Sequence, residues 1–268
     1  MHDDFRLFHI KDKLELGLEY HYHEFDKIVI FISGSVTYMM EGTAYFLKPW
    51  DILLVGHDQV HRPIIDASAP YERIVLWINP NFLQQHSADG YSLSHCMELA
   101  RARGFALIRM LAQERAEIIK LLYATESALA SDEFAHDLLA RTSLLQFLIL
   151  LNRLADKDNT VQNPSAYMCD PKLSEILAYI NNNLCADLSI DALSHKFFMS
   201  NSYLMHKFKA MTGYTAHSYI TQKRLICSAE LIKGGSPVVE ASSASGFSDY
   251  SSFLRAFKKM FGCRPGEL

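Results

Sequence analysis

Apolar residues in the first eighty positions fall into short runs broken by turn-forming residues. Lys27–Ile32, Val36–Glu41, Ala44–Lys48, Ile52–Val55 and Glu72–Ile78 are rich in β-branched and aromatic side chains. Ser33-Gly34-Ser35, Glu41-Gly42 and Pro49-Trp50-Asp51 interrupt them. Many short strands at close spacing predict an all-β barrel or sandwich. The pattern then lengthens. From Glu114 to Asp156 there is neither proline nor glycine, and Ser131 is placed to cap a helix with Phe134, Leu138, Leu145, Leu148 and Leu151 among its apolar positions. Leu144–Leu151 is apolar except for Gln146. That segment must be buried on more than one side, against the barrel or against a second copy of the chain. Asp156–Pro171 is polar with two prolines and reads as a linker.

Beyond the linker the pattern is helical and repeats once. Ser200-Asn201-Ser202-Tyr203-Leu204, followed by Phe208-Lys209, Met211 and Gly213, returns 49 residues later. The second copy is Asp249-Tyr250-Ser251-Ser252-Phe253, followed by Phe257-Lys258, Met260 and Gly262. The matches fall on the cap, the inward apolar positions, the lysine and the closing glycine. Two copies make a duplicated supersecondary unit, too few for a solenoid. Each has the logic of a helix-turn-helix. Ser189 caps Ile190–Lys196, Phe197-Phe198-Met199 turns, and Ser200 caps a helix burying Leu204, Phe208 and Met211. Ser236-Pro237 supplies an N-cap with proline at the first helical position, Gly246-Phe247 turns, and Asp249 caps a helix burying Phe253, Phe257 and Met260. Ala216–Lys233 joins the units as one long helix. The outward positions are Asn201, Ser202, Met205, His206 and Lys209 in the first unit. In the second they are Tyr250, Ser251, Leu254, Arg255 and Lys258. Polar tips at helix starts reach base edges and lysines at helix ends neutralise phosphates, so these ten are the candidate DNA-binding residues. Two units on one frame fit successive major grooves about 34 Å apart.

The run from Gly246 to Pro265 resembles the signature of AraC/XylS-type transcription regulators. Met199-Ser200-Asn201-Ser202-Tyr203-Leu204, Phe208-Lys209, Thr212-Gly213, Arg224-Leu225 and Ala229 fit the same family. Ala241-Ser242 replaces the family's usual Ile-Ala, and His206 stands where a basic residue is common. The resemblance implies a sequence-specific regulator binding duplex DNA, with RNA polymerase as a partner if it activates.

Charge agrees with two parts. The chain of 268 residues carries a net −4, yet from Lys172 onward it has eleven Lys and Arg against seven Asp and Glu. An acidic front and a basic back suit different partners, the back one a polyanion. Five scattered cysteines suggest reduced thiols in a cytoplasmic protein. The charged start lacks an apolar signal core, and no run reaches the roughly 20 apolar residues of a membrane span.

His21, His23, Lys27, Gly34 and His61 resemble the cupin barrel found at the front of many such regulators. In metal-binding cupins two histidines and a glutamate of the first motif and a histidine of the second hold the ion. Here Lys27 stands in place of the glutamate, and Trp50, Gly56 and Asp58 replace the second motif's glycine and proline. An ammonium repels a cation, so no metal is expected. The histidines could line a small-molecule pocket or be polar residues at the barrel mouth. His21, His23, Lys27 and His61 are the candidate effector-binding residues, suited to an anion or a polyhydroxylated compound. A cupin-type metal enzyme with an accessory helical domain is the alternative. No P-loop, Ser/His/Asp order or dinucleotide fingerprint stands out, so neither enzymatic activity nor a cofactor is expected. The reading is an α+β two-domain chain: a cupin-like barrel over 1–105, a helical dimerisation segment over 106–156, a linker over 157–171 and an all-α double helix-turn-helix over 172–268.

Overall fold

A computed structural model describes residues 4–13, 20–157 and 167–268, and most of the expected linker lies outside them. The chain forms two compact units that divide, for all but Glu41–Thr43, between Met168 and Cys169.

The first unit begins with β1 (Phe5–Asp12), β2 (Asp26–Ser33), β3 (Val36–Met40), β4 (Thr43–Phe46), β5 (Asp51–Val55), β6 (His61–Ile65) and β7 (Tyr71–Ile78). Helices α1 (Pro80–Gln85) and α2 (His95–Arg103), strand β8 (Leu107–Arg109), the hairpin α3 (Ala112–Leu129) and α4 (His136–Asp156), and β9 (Tyr167–Cys169) follow. The strands make two sheets, ordered β1-β7-β2-β5-β8 and β6-β3-β4-β9. The expected closed barrel is thus two separate sheets. Five strands coincide with the apolar runs. β6 escapes the pattern because Pro63 interrupts it, and β8 because three residues carry no periodicity. Arg109 holds that short strand in place with a bidentate pair to the buried Asp51, at 2.8 and 2.6 Å. β2 is buried on both faces, which explains its unbroken apolar sequence.

The cap expected of α4 fails, and so does one of the two settings left open for its apolar segment. The chain enters it through Ala135 at φ 56°, so the helix starts at His136, and Ser131 accepts only from the Glu133 amide. Phe134 precedes the helix and Leu138 lies on the face opposite its buried residues, so both are exposed. Leu144, Leu148 and Leu151 are at most 1% exposed inside their own fold and cannot form a subunit face. The helix is long and apolar enough to pass for a membrane span, but those residues build the core with Phe147.

The second unit comprises α5 (Pro171–Asn182), α6 (Ile190–Lys196), α7 (Asn201–Thr212), α8 (Ala216–Lys233), α9 (Val238–Ala244) and α10 (Tyr250–Phe261). Leu204, Phe208, Phe253 and Phe257 are completely buried, as the repeat requires. Met211 is only half-buried and Thr212 takes the inward position beside it. α9 starts one residue later than expected: Pro237 is its N-cap and no side chain caps it. Ala241 and Ser242 are buried, and Ser245 donates to the Ala241 carbonyl at 2.7 Å.

The turn into α10 leaves no room for a side chain. Gly246 sits at φ 92°, where a Cβ would lie 2.1 Å from the Leu184 carbonyl oxygen and 2.8 Å from Arg224 Nε. Gly262 has φ 74° and nothing near its missing Cβ. Gly246→Ala should therefore cost at least about 3 kcal/mol, and Gly262→Ala only about 1 kcal/mol. Urea denaturation of both full-length variants measures the difference, and equal losses would show that the close approach is relieved by a shift of the backbone.

Candidate DNA interface and effector cavity

The two halves of the second unit are built alike. Ser200 Oγ accepts from the Tyr203 amide at 3.3 Å, and the Asp249 carboxylate accepts from the Ser251 and Ser252 amides at 3.3 and 2.8 Å. The Ser252 hydroxyl, and then those amide hydrogen bonds, hold the Asp249 carboxyl below the usual carboxylate range. Gly213 and Gly262 close α7 and α10 in the left-handed conformation, donating to the Lys209 and Lys258 carbonyls at 2.9 and 3.0 Å. The turns match too: the Met199 amide reaches the Ser194 carbonyl, and the Phe247 amide reaches that of Ser242. In the first turn, however, the left-handed residue is Phe198, at φ 55° and 92% exposed.

Nine of the ten candidate DNA-binding residues are exposed: Asn201, Ser202, Met205, His206 and Lys209 on α7, and Tyr250, Ser251, Arg255 and Lys258 on α10. Leu254 is half-buried against the α8–α10 core. Their polar tips differ in availability. Asn201 Nδ2 donates to Asp191 on α6, and His206 Nδ1 donates to the Ser202 carbonyl at 2.8 Å. His206 Nε2 is then left as an acceptor. Arg255 donates from one guanidinium nitrogen to Ser252 Oγ at 3.1 Å, keeping four N–H groups for other partners.

In the first unit a cavity of about 270 Å³ opens between the two sheets. Strand β7 builds one wall through alternation, presenting Tyr71, Arg73, Val75 and Trp77 on one face. Phe8 and Ile10 of β1, Lys27 of β2, Tyr38 of β3 and Pro63 and Ile65 of β6 complete it with His21. Sequence reasoning thus reached His21 and Lys27 but missed Trp77, Tyr71 and Arg73. The every-second-residue pattern Tyr71, Arg73, Val75, Trp77 was the available signal.

His23 and His61 sit behind the lining. His21 and His61 exchange backbone hydrogen bonds at 3.0 and 2.9 Å, and the three imidazole rings have centroids 4.5 to 5.1 Å apart. His23 also stacks on Phe25. His61 is completely buried, its Nδ1 donates to the Gln59 carbonyl at 3.0 Å, and Lys27 Nζ lies 3.5 Å from its Nε2. Burial, with the Lys27 charge beside it, pushes the His23 pKa down to about 3 and that of His61 well below its ordinary value.

The three rings place one nitrogen each within 4.8 Å of one another. A zinc-like ion would need these nitrogens drawn to about 2.0–2.1 Å from it. The Lys27 ammonium already occupies the only lone pair that His61 offers. This donor set does not fit a divalent metal.

A sheet-rich domain followed by a helical domain with paired, similarly capped helix-turn-helix units is the architecture of a DNA-binding transcription regulator. Residues 11–148 match the family model of the AraC-like ligand binding domain, and residues 193–268 match a helix-turn-helix domain. The chain belongs to the AraC family of transcription regulators. It is 25% identical over 256 residues to the probable transcriptional regulator LumQ of Photobacterium leiognathi, covering 95% of this chain and 93% of that one. It is 23% identical over 259 residues to the transcriptional activator RhaS of Salmonella heidelberg (strain SL476), covering 92% and 86%. A solved ToxT chain from Vibrio cholerae aligns over 99% of this chain and 96% of its own, at 13% identity and a TM-score of 0.41, too distant a likeness to carry detail.

The histidine cluster makes stability depend on pH. Both folded-state pKa values lie below the ordinary 6.5, so the unfolded chain binds more protons between pH 6.5 and about 3. The contribution of these neutral rings is complete above pH 6.5 and is lost as the pH falls. The first thermal transition of the full chain should drop as the pH is lowered from 6.5 to 5, and His23→Phe should flatten the slope. An unchanged slope in that variant would assign the pH dependence to other groups.

Proposed function

We propose that this regulator reads duplex DNA through α7 and α10, responds to a small molecule held in the cavity of its first unit, and acts as a homodimer. The matched caps, closing glycines and buried pairs of α7 and α10 carry the DNA reading. They hold two outward faces in equivalent settings, each with a lysine in its last turn. The two sheets, most of whose strands lie within residues 1–105, are read as a cupin-type effector domain that stays open. Dimerisation is assigned to α3 and α4 and DNA binding to 172–268, because Leu107–Arg109 and Tyr167–Cys169 of the expected helical segment and linker belong to the sheets. The protein acts in the cytoplasm, with RNA polymerase as a further partner if binding activates. The alternative, a cupin-type metal enzyme, is disfavoured by Lys27 against His61.

The two DNA-binding units should contribute unequally. Arg255 keeps a guanidinium able to contact a guanine bidentately, worth roughly 1–3 kcal/mol of discrimination. Asn201 and His206 already spend donors on their own protein. Arg255→Ala should therefore relax specificity at one or two base pairs. Lys258→Ala should weaken all sequences alike and reduce the salt slope by about 0.9. Binding of both variants to a library of operator sequences at several salt concentrations decides this, and a uniform loss for Arg255→Ala would make it a phosphate contact.

The subunit face shifts from the one expected. Leu138, Thr142, Leu145 and Ile149 lie at helical spacing on α4, three of them exposed and Leu145 half-buried. Replacing Leu138 and Ile149 together by glutamate should give a soluble monomer with a nearly unchanged melting temperature. Leu148→Ala, in contrast, should cost about 2–5 kcal/mol of stability. Sedimentation of the double variant checks the assignment: an unchanged dimer puts the interface elsewhere, and a monomeric parent chain removes it.

A further inference from the structure

The cavity's charges do not balance among the described residues. Arg73 is neutralised by Asp12 through two hydrogen bonds of 2.6 and 3.2 Å. Lys27 is only 9% exposed, and its sole hydrogen-bond contact there is the uncharged His61 ring. A buried ammonium without an anion destabilises a fold by several kcal/mol unless something compensates it. A second donor is idle beside it. Trp77 Nε1 is buried with no hydrogen-bond partner, and an indole N–H can only donate. The two residues are direct cross-strand partners, Lys27 of β2 opposite Trp77 of β7, and both line the cavity. Opposed positions on one sheet face bring side chains within about 5 Å at Cβ.

We propose that the molecule this cavity takes is a small carboxylate, one oxygen accepting from Lys27 Nζ and the other from Trp77 Nε1, with an apolar body against Ile10, Ile65, Val75 and the Tyr38 and Tyr71 rings. This rests on the effector reading of the same cavity and narrows it from any polar small molecule to an anion. A carboxylate supplies the missing charge and two acceptors at the spacing of adjacent oxygens. A sugar hydroxyl supplies neither charge nor a fixed pair of acceptors. Most of the remaining lining is apolar, so a second charge on the ligand would be buried without a partner. The volume corresponds to roughly nine water-sized spaces of about 30 Å³, enough for one ring with a short side arm.

Thermal melting of the full chain with 3-phenylpropionate, acetate, 3-phenylpropionamide and D-ribose tests this, alongside Lys27→Met and Trp77→Phe. The aryl carboxylate should stabilise the wild type and its amide should not. Lys27→Met should melt higher than the wild type without ligand, because a buried charge is gone. It should also lose carboxylate affinity by roughly ten- to hundredfold. Trp77→Phe should keep the ring packing and weaken the carboxylate by a smaller factor. The proposal is overturned if Lys27→Met melts lower without ligand, since Lys27 would then be paired within the protein. It is equally overturned if no carboxylate stabilises the wild type at millimolar concentration, or if amide and carboxylate bind alike. Operator retention measured with the same compounds separates the two readings. A carboxylate that binds through Lys27 but leaves DNA affinity unchanged removes the effector reading alone. A neutral compound that binds and changes DNA affinity removes the carboxylate alone.

Discussion

Arg224 is the constraint on which the geometry of the DNA-binding unit rests. It projects from α8, the helix joining the two helix-turn-helix units, and donates to the Leu184 and Ala186 carbonyls at 2.8 and 2.9 Å. Those carbonyls belong to the segment that leads from α5 into α6, at the entrance of the first unit. The same guanidinium and the same Leu184 carbonyl lie against Gly246, in the turn of the second unit. One side chain thus touches both halves. Burial lowers its pKa, while Cys185 and Asp187 nearby favour the charged form, and a guanidinium stays protonated in any case. Five N–H donors in a rigid plane suit a site that must satisfy two carbonyls at fixed angles, which a lysine could not do. Gly246 is then required chiefly by the Leu184 carbonyl that Arg224 holds, and by its own positive φ. The relation between α7 and α10 is set by residues that need never touch DNA.

Most of the second unit was legible because local and long-range signals coincide there. A cap residue, inward apolar positions at helical spacing and a closing glycine recur in register, and each is a chemical requirement with few alternative side chains. The first unit was less legible. Its strands were found where apolar runs are bounded by turn residues, as in β2 and β5. They were missed where pairing rather than sequence makes the strand, as in β6 and β8. α4 shows how a correct period can still give a wrong face. Leu144 to Leu151 did carry core residues, but Leu138 shares the opposite stripe with Thr142 and Ile149, and Phe134 falls before the helix, which begins after the left-handed Ala135. The cavity was legible only in its first wall: the histidines and Lys27 attract notice as polar residues, whereas Trp77 and Tyr71 look like core until β7 is seen pairing β1 and β2.

The two DNA-reading units are alike in frame and unlike in cost. Phe198 holds a bulky side chain in the left-handed region where the second copy has Gly246, at a cost of about 1–2 kcal/mol relative to ordinary backbone. The first unit also ties Asn201 and His206 to its own carbonyl and carboxylate groups, which fixes those side chains before DNA arrives. A fixed tip loses less entropy on binding but offers fewer donors. The second unit pairs an unstrained turn with an Arg255 that donates to Ser252 and lies near the Asp249 charge. The two units thus differ in the donors they leave free: Asn201 and His206 are tied to the protein, and Arg255 keeps most of its N–H groups.

Strand β1 joins the cavity to the helical hairpin by its alternation. Phe8 and Ile10 line the cavity, while His9, between them, faces the other way and meets Glu72 at 3.1 Å and Glu126 of α3 at 3.3 Å. α3 packs on α4, whose outer side carries the exposed stripe of Leu138, Thr142 and Ile149. A ligand can shift an equilibrium only by the difference in its affinity for the two states. The contacts that could differ are therefore those of residues whose strand also bears on a movable element. Val75 and Trp77 are on a central strand clamped from both sides, and Lys27 is on another. Phe8 and Ile10 are on an edge strand with one sheet neighbour, β7. Among the cavity walls, β1 and β6 are edge strands, and β1 is the one whose far face also touches α3.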